Sequence, residues 1–182
     1  FTIPINQIFE IDGNFLETIK SDIKYNKLIN VEYESNFALG LFFNKFNNIK
    51  PMIKNIKSKN IESIFIDNKK NYSTVVAHAT HYWTMKNLNL PQEEIFNKLK
   101  NNVFEQVPDV NFENYQEHIL KKWKYSKVKE GKEVDKKNKA IIVGDKKLPI
   151  IIAGDGIAGN GYENCVASAF ESCRLLQDII LK

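Results

Sequence analysis

The stretch Leu148-Pro-Ile-Ile-Ile-Ala-Gly-Asp-Gly-Ile-Ala-Gly-Asn-Gly-Tyr-Glu-Asn-Cys-Val-Ala-Ser-Ala-Phe170 carries an apolar run into four glycines and then into an amphipathic pattern. Pro149 to Ala153 is continuously apolar and bounded by turn formers, which predicts a short strand buried on both faces. From Tyr162 the period changes: Val166, Ala169, Phe170, Cys173, Leu176 and Ile180 recur at steps of three and four, one face of a helix running to the end of the chain. The predicted order is strand, Gly-rich turn, helix. That order brings free backbone N–H groups and the positive end of a helix dipole to the tip of a strand, where phosphates and electron-rich ring oxygens bind.

Gly154, Gly156 and Gly159 spell a G-x-G-x-x-G pattern. A dinucleotide fingerprint of that kind opens a βαβ unit, whereas here no further strand follows the helix, so the pattern is not read as one. Asp155 inside the turn would repel a pyrophosphate but could accept hydrogen bonds from a chain of sugar-like hydroxyls. Its structural alternative is a turn-forming or N-capping carboxylate.

With 182 residues, 43% hydrophobic and 12% aromatic, the chain can bury one ordinary core. A formal charge of +4 comes almost wholly from lysines spread among Asn, Glu and Ile, with Arg174 the single arginine. Nucleic-acid readers lean on arginine's bidentate fork, so a solvated Lys-rich surface is expected and no nucleic-acid partner. Cys165 and Cys173 lie eight residues apart on one helix, about 12 Å, too far for a disulfide, and read as packing residues. No apolar run approaches about 18 residues, so no membrane span is expected. The composition suits a soluble protein of a reducing compartment, with no compartment specified. The opening Phe-Thr-Ile-Pro reads like the end of a strand, which suggests a fragment.

Along the chain, Pro4 opens a short helix, and Phe15, Ile19 and Ile23 mark a second. Val31 to Phe43 alternates as a strand entering a core. Residues 47–60 read as a polar loop. Ile61 to Asp67 and Ser73 to His81 read as two strands of an antiparallel meander, and Pro91 opens a helix buried through Ile95, Leu99 and Val103. Ile119 to Val128 fits either a helix or a strand by pattern. Ala140 to Val143 and Leu148 to Ala153 close as a hairpin around Gly144-Asp145.

A strand ending Ala-Gly-Asp, followed by glycines and a helix with Ala-Ser-Ala near its start, resembles the carboxyl-terminal flavin motif of the amine-oxidase-like flavoproteins, and within them the renalase-like proteins. Further blocks agree in the same order: Ile3-Pro-Ile-Asn-Gln-Ile-Phe9, Tyr33-Glu-Ser-Asn-Phe-Ala-Leu-Gly-Leu-Phe-Phe43, Phe65-Ile-Asp-Asn-Lys-Lys70, Val76-Ala-His-Ala-Thr80, Lys122-Trp-Lys-Tyr-Ser-Lys-Val128 and Gly154-Asp-Gly156. The resemblance selects the strand for Ile119 to Val128. It implies an α+β fold: a mixed, largely antiparallel sheet with packed helices, plus a strand–Gly turn–helix that completes an FAD domain absent from this chain. The implied segments are 1–12, the end of an FAD-domain strand and turn; 13–139, a substrate-binding sheet domain; and 140–182, an FAD-contacting segment.

The resemblance further implies FAD as cofactor, held by Gly154, Asp155, Gly156, Tyr162, Glu163 and Asn164, with the missing N-terminal FAD-binding half as partner. It implies an oxidase that converts isomeric forms of reduced NAD or NADP by hydride transfer to flavin, oxygen being reduced to hydrogen peroxide. An FAD-dependent amine oxidase is the alternative enzyme, and a non-enzymatic binding fragment the alternative of another class; the chain alone is expected to be inactive. His78 and Trp123 are the catalytic candidates, His78 because its block lies near flavin and substrate and Trp123 as a wall of the substrate pocket. The structural alternatives are a core or hydrogen-bonded histidine for His78 and a core-filling ring for Trp123, while Tyr33 and Phe37 read as pocket or core. Asn36 and Asn71 stand where relatives often carry Arg, which removes two fixed positive charges. His118 has no metal-like spacing with either other histidine, so no metal site is expected.

Overall fold

The computed structural model describes residues 3–44, 51–56, 58–110, 112–135, 137–145 and 147–181. In chain order the elements are α1 Ile5–Ile8, α2 Phe15–Ser21, α3 Tyr25–Ile29, β1 Tyr33–Asn44, β2 Met52–Asn55, β3 Ile61–Asn68, β4 Tyr72–Ala79, α4 His81–Asn87, α5 Gln92–Gln106, a 3-10 turn Phe112–Asn114, β5 Tyr115–Val128, β6 Ala140–Val143, β7 Ile150–Ala153, α6 Asp155–Ala158 and α7 Tyr162–Ile180. The fold is α+β. Two compact units divide it, Phe1–Glu34 with Tyr125–Lys182, and Ser35–Lys124. This is a division by compactness, cut within β1 and β5. The segmentation at residues 12 and 139 is one by role.

In the Ser35–Lys124 unit, strict alternation makes the sheet two-faced. Phe37, Leu39, Leu41 and Phe43 of β1 are buried, and Val75, Ala77 and Ala79 of β4 bury the matching face. The strand order is β2-β3-β4-β1-β5. The pairs β2–β3, β3–β4 and β1–β4 are antiparallel, with Ala38 opposite His78 and Val76 opposite Phe65. Helix α5 covers the buried face through Ile95, Phe96, Leu99 and Val103, which join Leu39, Leu41, Ile64 and Val75 in one apolar cluster.

The other unit has its own core. Ile5, Ile8, Ile19 and Leu28 from the N-terminal helices and Val31 just after them pack with Val128, Val143, Ile152 and Ile157. Here β6 and β7 form an antiparallel hairpin, Ala140 opposite Ala153 and Val143 opposite Ile150.

Several expectations are corrected. The loop expected over 47–60 contains β2, whose four residues are all exposed and pair with β3 from the sheet edge, so a polar composition here marks an edge strand; residues 45–50 and 57 lie outside the described residues. The strand expected to reach His81 stops at Ala79, because the Thr80 hydroxyl accepts the Trp83 N–H at 3.1 Å and caps α4. His81 therefore starts a helix and has no place on a strand face. Ile23 is 94% exposed, beyond the end of α2 at Ser21. The helices α3 and α6 have no counterpart in the sequence reading.

The largest correction is on α7. The side that this chain covers runs through Asn164, Val166, Ala167, Ser168, Glu171, Ser172, Leu175 and Ile179, so that of the expected stripe Val166 is half-buried, whereas Phe170 is 73% and Ile180 71% exposed. Cys165 and Cys173 are exposed thiols and not packing residues. Among the described residues no helix is long and apolar enough to cross a membrane.

Candidate functional site

Strand β7 is buried through Ile150, Ile152 and Ala153 and ends at Gly154. Gly154 has φ +119°, in the region that favours glycine, and a Cβ built there would meet nothing within 4 Å. The backbone turns there beside open space. Its N–H donates to Ser168 Oγ at 2.8 Å, and that buried hydroxyl in turn donates to the Lys139 carbonyl. Ser168 thus ties the first turns of α7 to the end of β7 and the residue before β6.

The four residues after Gly154 form α6, a single helical turn that the sequence reading took as irregular. Asp155 is its first residue. Its Oδ1 accepts the Tyr33 hydroxyl at 3.3 Å, and the same phenol oxygen accepts the Ile5 N–H at 3.2 Å. Gly156 lies against this pair: a Cβ there would be 2.6 Å from the Tyr33 hydroxyl and 2.7 Å from Ile5 Cδ1. The Gly156 carbonyl accepts the Val134 N–H. Gly154 and Gly156 therefore serve different ends, one a backbone conformation and one a close approach.

Gly161, at φ +105°, precedes α7, and neither α6 nor α7 has a side-chain cap at its N-terminus. The first bond of α7 is from Cys165 N–H to the Gly161 carbonyl at 3.1 Å, so the amides of Tyr162, Glu163 and Asn164 precede the helical ladder. Tyr162 and Glu163 are exposed. The Asn164 side chain donates to the Asn160 carbonyl and accepts the Lys139 ammonium at 2.9 Å. A cavity of about 610 Å³ opens here, lined by Glu34, Lys127, Lys139, Gly159, Asn160 and Asn164 among others.

The structure thus gathers Gly154, Asp155 and Gly156 at one point and places Asn164 at the cavity, with Tyr162 and Glu163 on the open start of α7. Sequence reasoning missed Lys139, Asn160 and Ser168, and weighed Tyr33 as pocket or core without its bond to Asp155. Ser168 had a signal, the Ala-Ser-Ala at the helix start. Lys139 sat within a charged connection and carried none.

The other two candidates lie on the Ser35–Lys124 unit. His78 is on the sheet face opposite the α5 core, because it pairs with Ala38 and alternates with the buried Ala77 and Ala79. Its Nδ1 lies 3.5 Å from Ser63 Oγ and its ring 5.6 Å from Phe65. Burial pushes its pKa below the ordinary histidine range, against a weaker opposite pull from Glu62, so the ring is neutral at pH 7. The Cβ position of Gly40, on that same face, is in contact with Ile119, and alternation places Trp123 on the face of Ile119. His78 and Trp123 share one face. Trp123 is 52% exposed and does not fill core.

Asn36 is buried, with an Oδ1 that has no hydrogen-bond partner among the described residues. Phe37 is core, edge-on to Trp83. His118 stacks on Phe96 at 4.0 Å. Among the described residues no group of three or more His, Cys, Asp or Glu could hold a metal ion.

The donor set fits the hydroxyl-bearing chain of a dinucleotide-type cofactor. The uncapped start of α7 supplies amides, and the Asp155 carboxylate is oriented by the Tyr33 hydroxyl on Oδ1.

No protein-family profile matches the chain, and no curated protein matches it in sequence. Among solved structures it is similar to a candidate protoporphyrinogen oxidase from Exiguobacterium sp. 255-15, with a TM-score of 0.53 and 12% identity, over 100% of this chain and 40% of that one. The likeness shows the fold. The chain spans less than half the length of the protein it matches.

Proposed function

We propose that this chain is the substrate-domain and cofactor-edge portion of an FAD-dependent oxidoreductase of the renalase-like kind. One observation carries the reading: a buried strand delivers Gly154, Asp155 and Gly156 beside the uncapped start of α7, with the carboxylate already oriented. The ordered sequence blocks support it, and so does the likeness of fold to a protein described as a candidate oxidase. In this reading the remainder of the flavoprotein fold, of which this chain spans 40% in the matched structure, supplies the adenosine pocket and covers the apolar stripe of α7.

FAD, when bound, would supply the two-electron chemistry, hydride removal from the reduced substrate and return of two electrons with two protons to oxygen as hydrogen peroxide. Gly154, Asp155 and Gly156 would hold its ribityl or phosphate chain, and the amides of Tyr162, Glu163 and Asn164 would face its electron-rich edge. An unsatisfied helix start holds negative charge without reorganising. On the substrate side, Trp123 offers a flat apolar surface for a planar reductant and excludes water. His78, neutral, holds the substrate by a hydrogen bond without acting as a base, and a hydride donor requires no general base.

The substrate is an isomeric form of reduced NAD or NADP. The test is to mix the protein from its complete gene, without oxygen, with such isomers and separately with small amines, while following flavin bleaching. Bleaching by the dinucleotides is expected. Bleaching by amines alone would make the protein an amine oxidase and overturn the substrate assignment.

A further inference from the structure

We propose that Tyr33 is the positioning residue of the cofactor site, fixing which oxygen of Asp155 is presented to a bound flavin cofactor; this rests on the reading above. A phenol oxygen has one hydrogen to donate and lone pairs to accept with. In this structure both functions are engaged. Ile5 is the first residue of α1, a helix with no side-chain cap, so its N–H needs a partner from elsewhere and finds the Tyr33 oxygen at 3.2 Å. That leaves the phenol hydrogen for Asp155 Oδ1 at 3.3 Å.

The ring that carries the oxygen is held too. The Tyr33 ring packs edge-on to Tyr125 at 5.5 Å, and the Tyr125 hydroxyl donates to Glu10 at 3.0 Å. Gly156 closes off the remaining direction, since even a methyl group there would lie 2.6 Å from the phenol oxygen. A half-buried phenol held at its ring and at its oxygen is a fixed donor. Burial, with the Asp155 charge adding to it, keeps Tyr33 protonated well above the ordinary tyrosine range, so it donates at any physiological pH. The Tyr33 bond fixes the plane of the carboxylate by one lone pair of Oδ1, so that Oδ2 presents its lone pairs to a ligand hydroxyl. Pre-orientation of this kind lowers the ordering cost of binding.

The test is a double-mutant cycle read by the FAD dissociation constant of the protein from its complete gene, using Tyr33→Phe, Asp155→Ala and the double variant. Tyr33→Phe keeps the ring and removes only the hydroxyl. It is expected to weaken FAD binding by about 3- to 10-fold, the range of one lost hydrogen bond. In the Asp155→Ala background the same change should alter binding by less than about twofold, because its effect passes through the carboxylate. A merely structural brace would cost the same in both backgrounds, and that result overturns the proposal, as does unchanged FAD binding by Tyr33→Phe. Melting of the flavin-free forms separates loss of fold from loss of positioning. If Asp155→Ala itself leaves FAD binding unchanged, the cofactor reading fails, and the role of Tyr33 with it.

Discussion

A methyl group on Gly156 would lie 2.6 Å from the Tyr33 hydroxyl and 2.7 Å from Ile5 Cδ1, and neither neighbour can retreat freely, because Ile5 is fully buried in the core of its unit. Gly156→Ala should therefore destabilise by about 1–3 kcal/mol, the usual cost of overpacking, measured as a fall in urea midpoint at unchanged slope. An unchanged midpoint would show that the turn is looser than described. His78 carries a second expectation at this scale. Burial lowers its pKa below the ordinary 6.5, so the unfolded state takes up its proton first as pH falls. Its contribution is complete above pH 6.5, declines as pH drops from there to the lower folded value, and is constant below that. The stability difference between the parent protein and His78→Gln should accordingly shrink from pH 7.5 towards 5.5 in urea titrations; a difference that does not vary with pH contradicts the assignment.

Among the elements, α7 departs furthest from a simple reading of its pattern. Its period of three and four correctly marks a helix, but periodicity reports that an apolar face exists, not what covers it. The covered side instead uses Ser168, whose hydroxyl joins Gly154 to Lys139, and the long side chains of Leu175 and Ile179. The stripe through Phe170 and Ile180 stays open. If the rest of the flavoprotein fold lies on it, Phe170→Asp in the protein from the complete gene should cost well over 1 kcal/mol in chemical denaturation, because a charge would be buried unpaired. Indifference to that change, within about 0.5 kcal/mol, would mean that the stripe is solvent-facing. Similar physics explains the other misread elements: β2 is a polar edge strand recognised only through its pairing with β3, and α4 begins where one Thr80 hydroxyl closes a cap.

Over the whole molecule, what was legible depended on the range of the interactions involved. Alternation in Val31 to Phe43 and the Pro91 helix start are local signals, and the sheet and its covering helix follow from them. The glycines at 154 and 156 were legible as a turn. Tyr33 was not, because its bond to Asp155 joins residues 122 apart in sequence, and nothing near Tyr33 tells a core ring from a positioning one. His78 and Trp123 could be suspected from sequence singly; only strand pairing puts them on one face. In the function proposed, the Gly154–Gly156 turn holds the cofactor while that face serves the substrate. The most direct measurement is the flavin content of Asp155→Ala and Trp123→Ala purified side by side from the complete gene, read from the yellow absorbance per protein. Asp155→Ala should lose flavin, by a binding loss of about 1.5–3 kcal/mol for a charge-assisted hydrogen bond, while Trp123→Ala keeps its flavin and is reduced more slowly. Full colour in Asp155→Ala together with a colourless Trp123→Ala would contradict it.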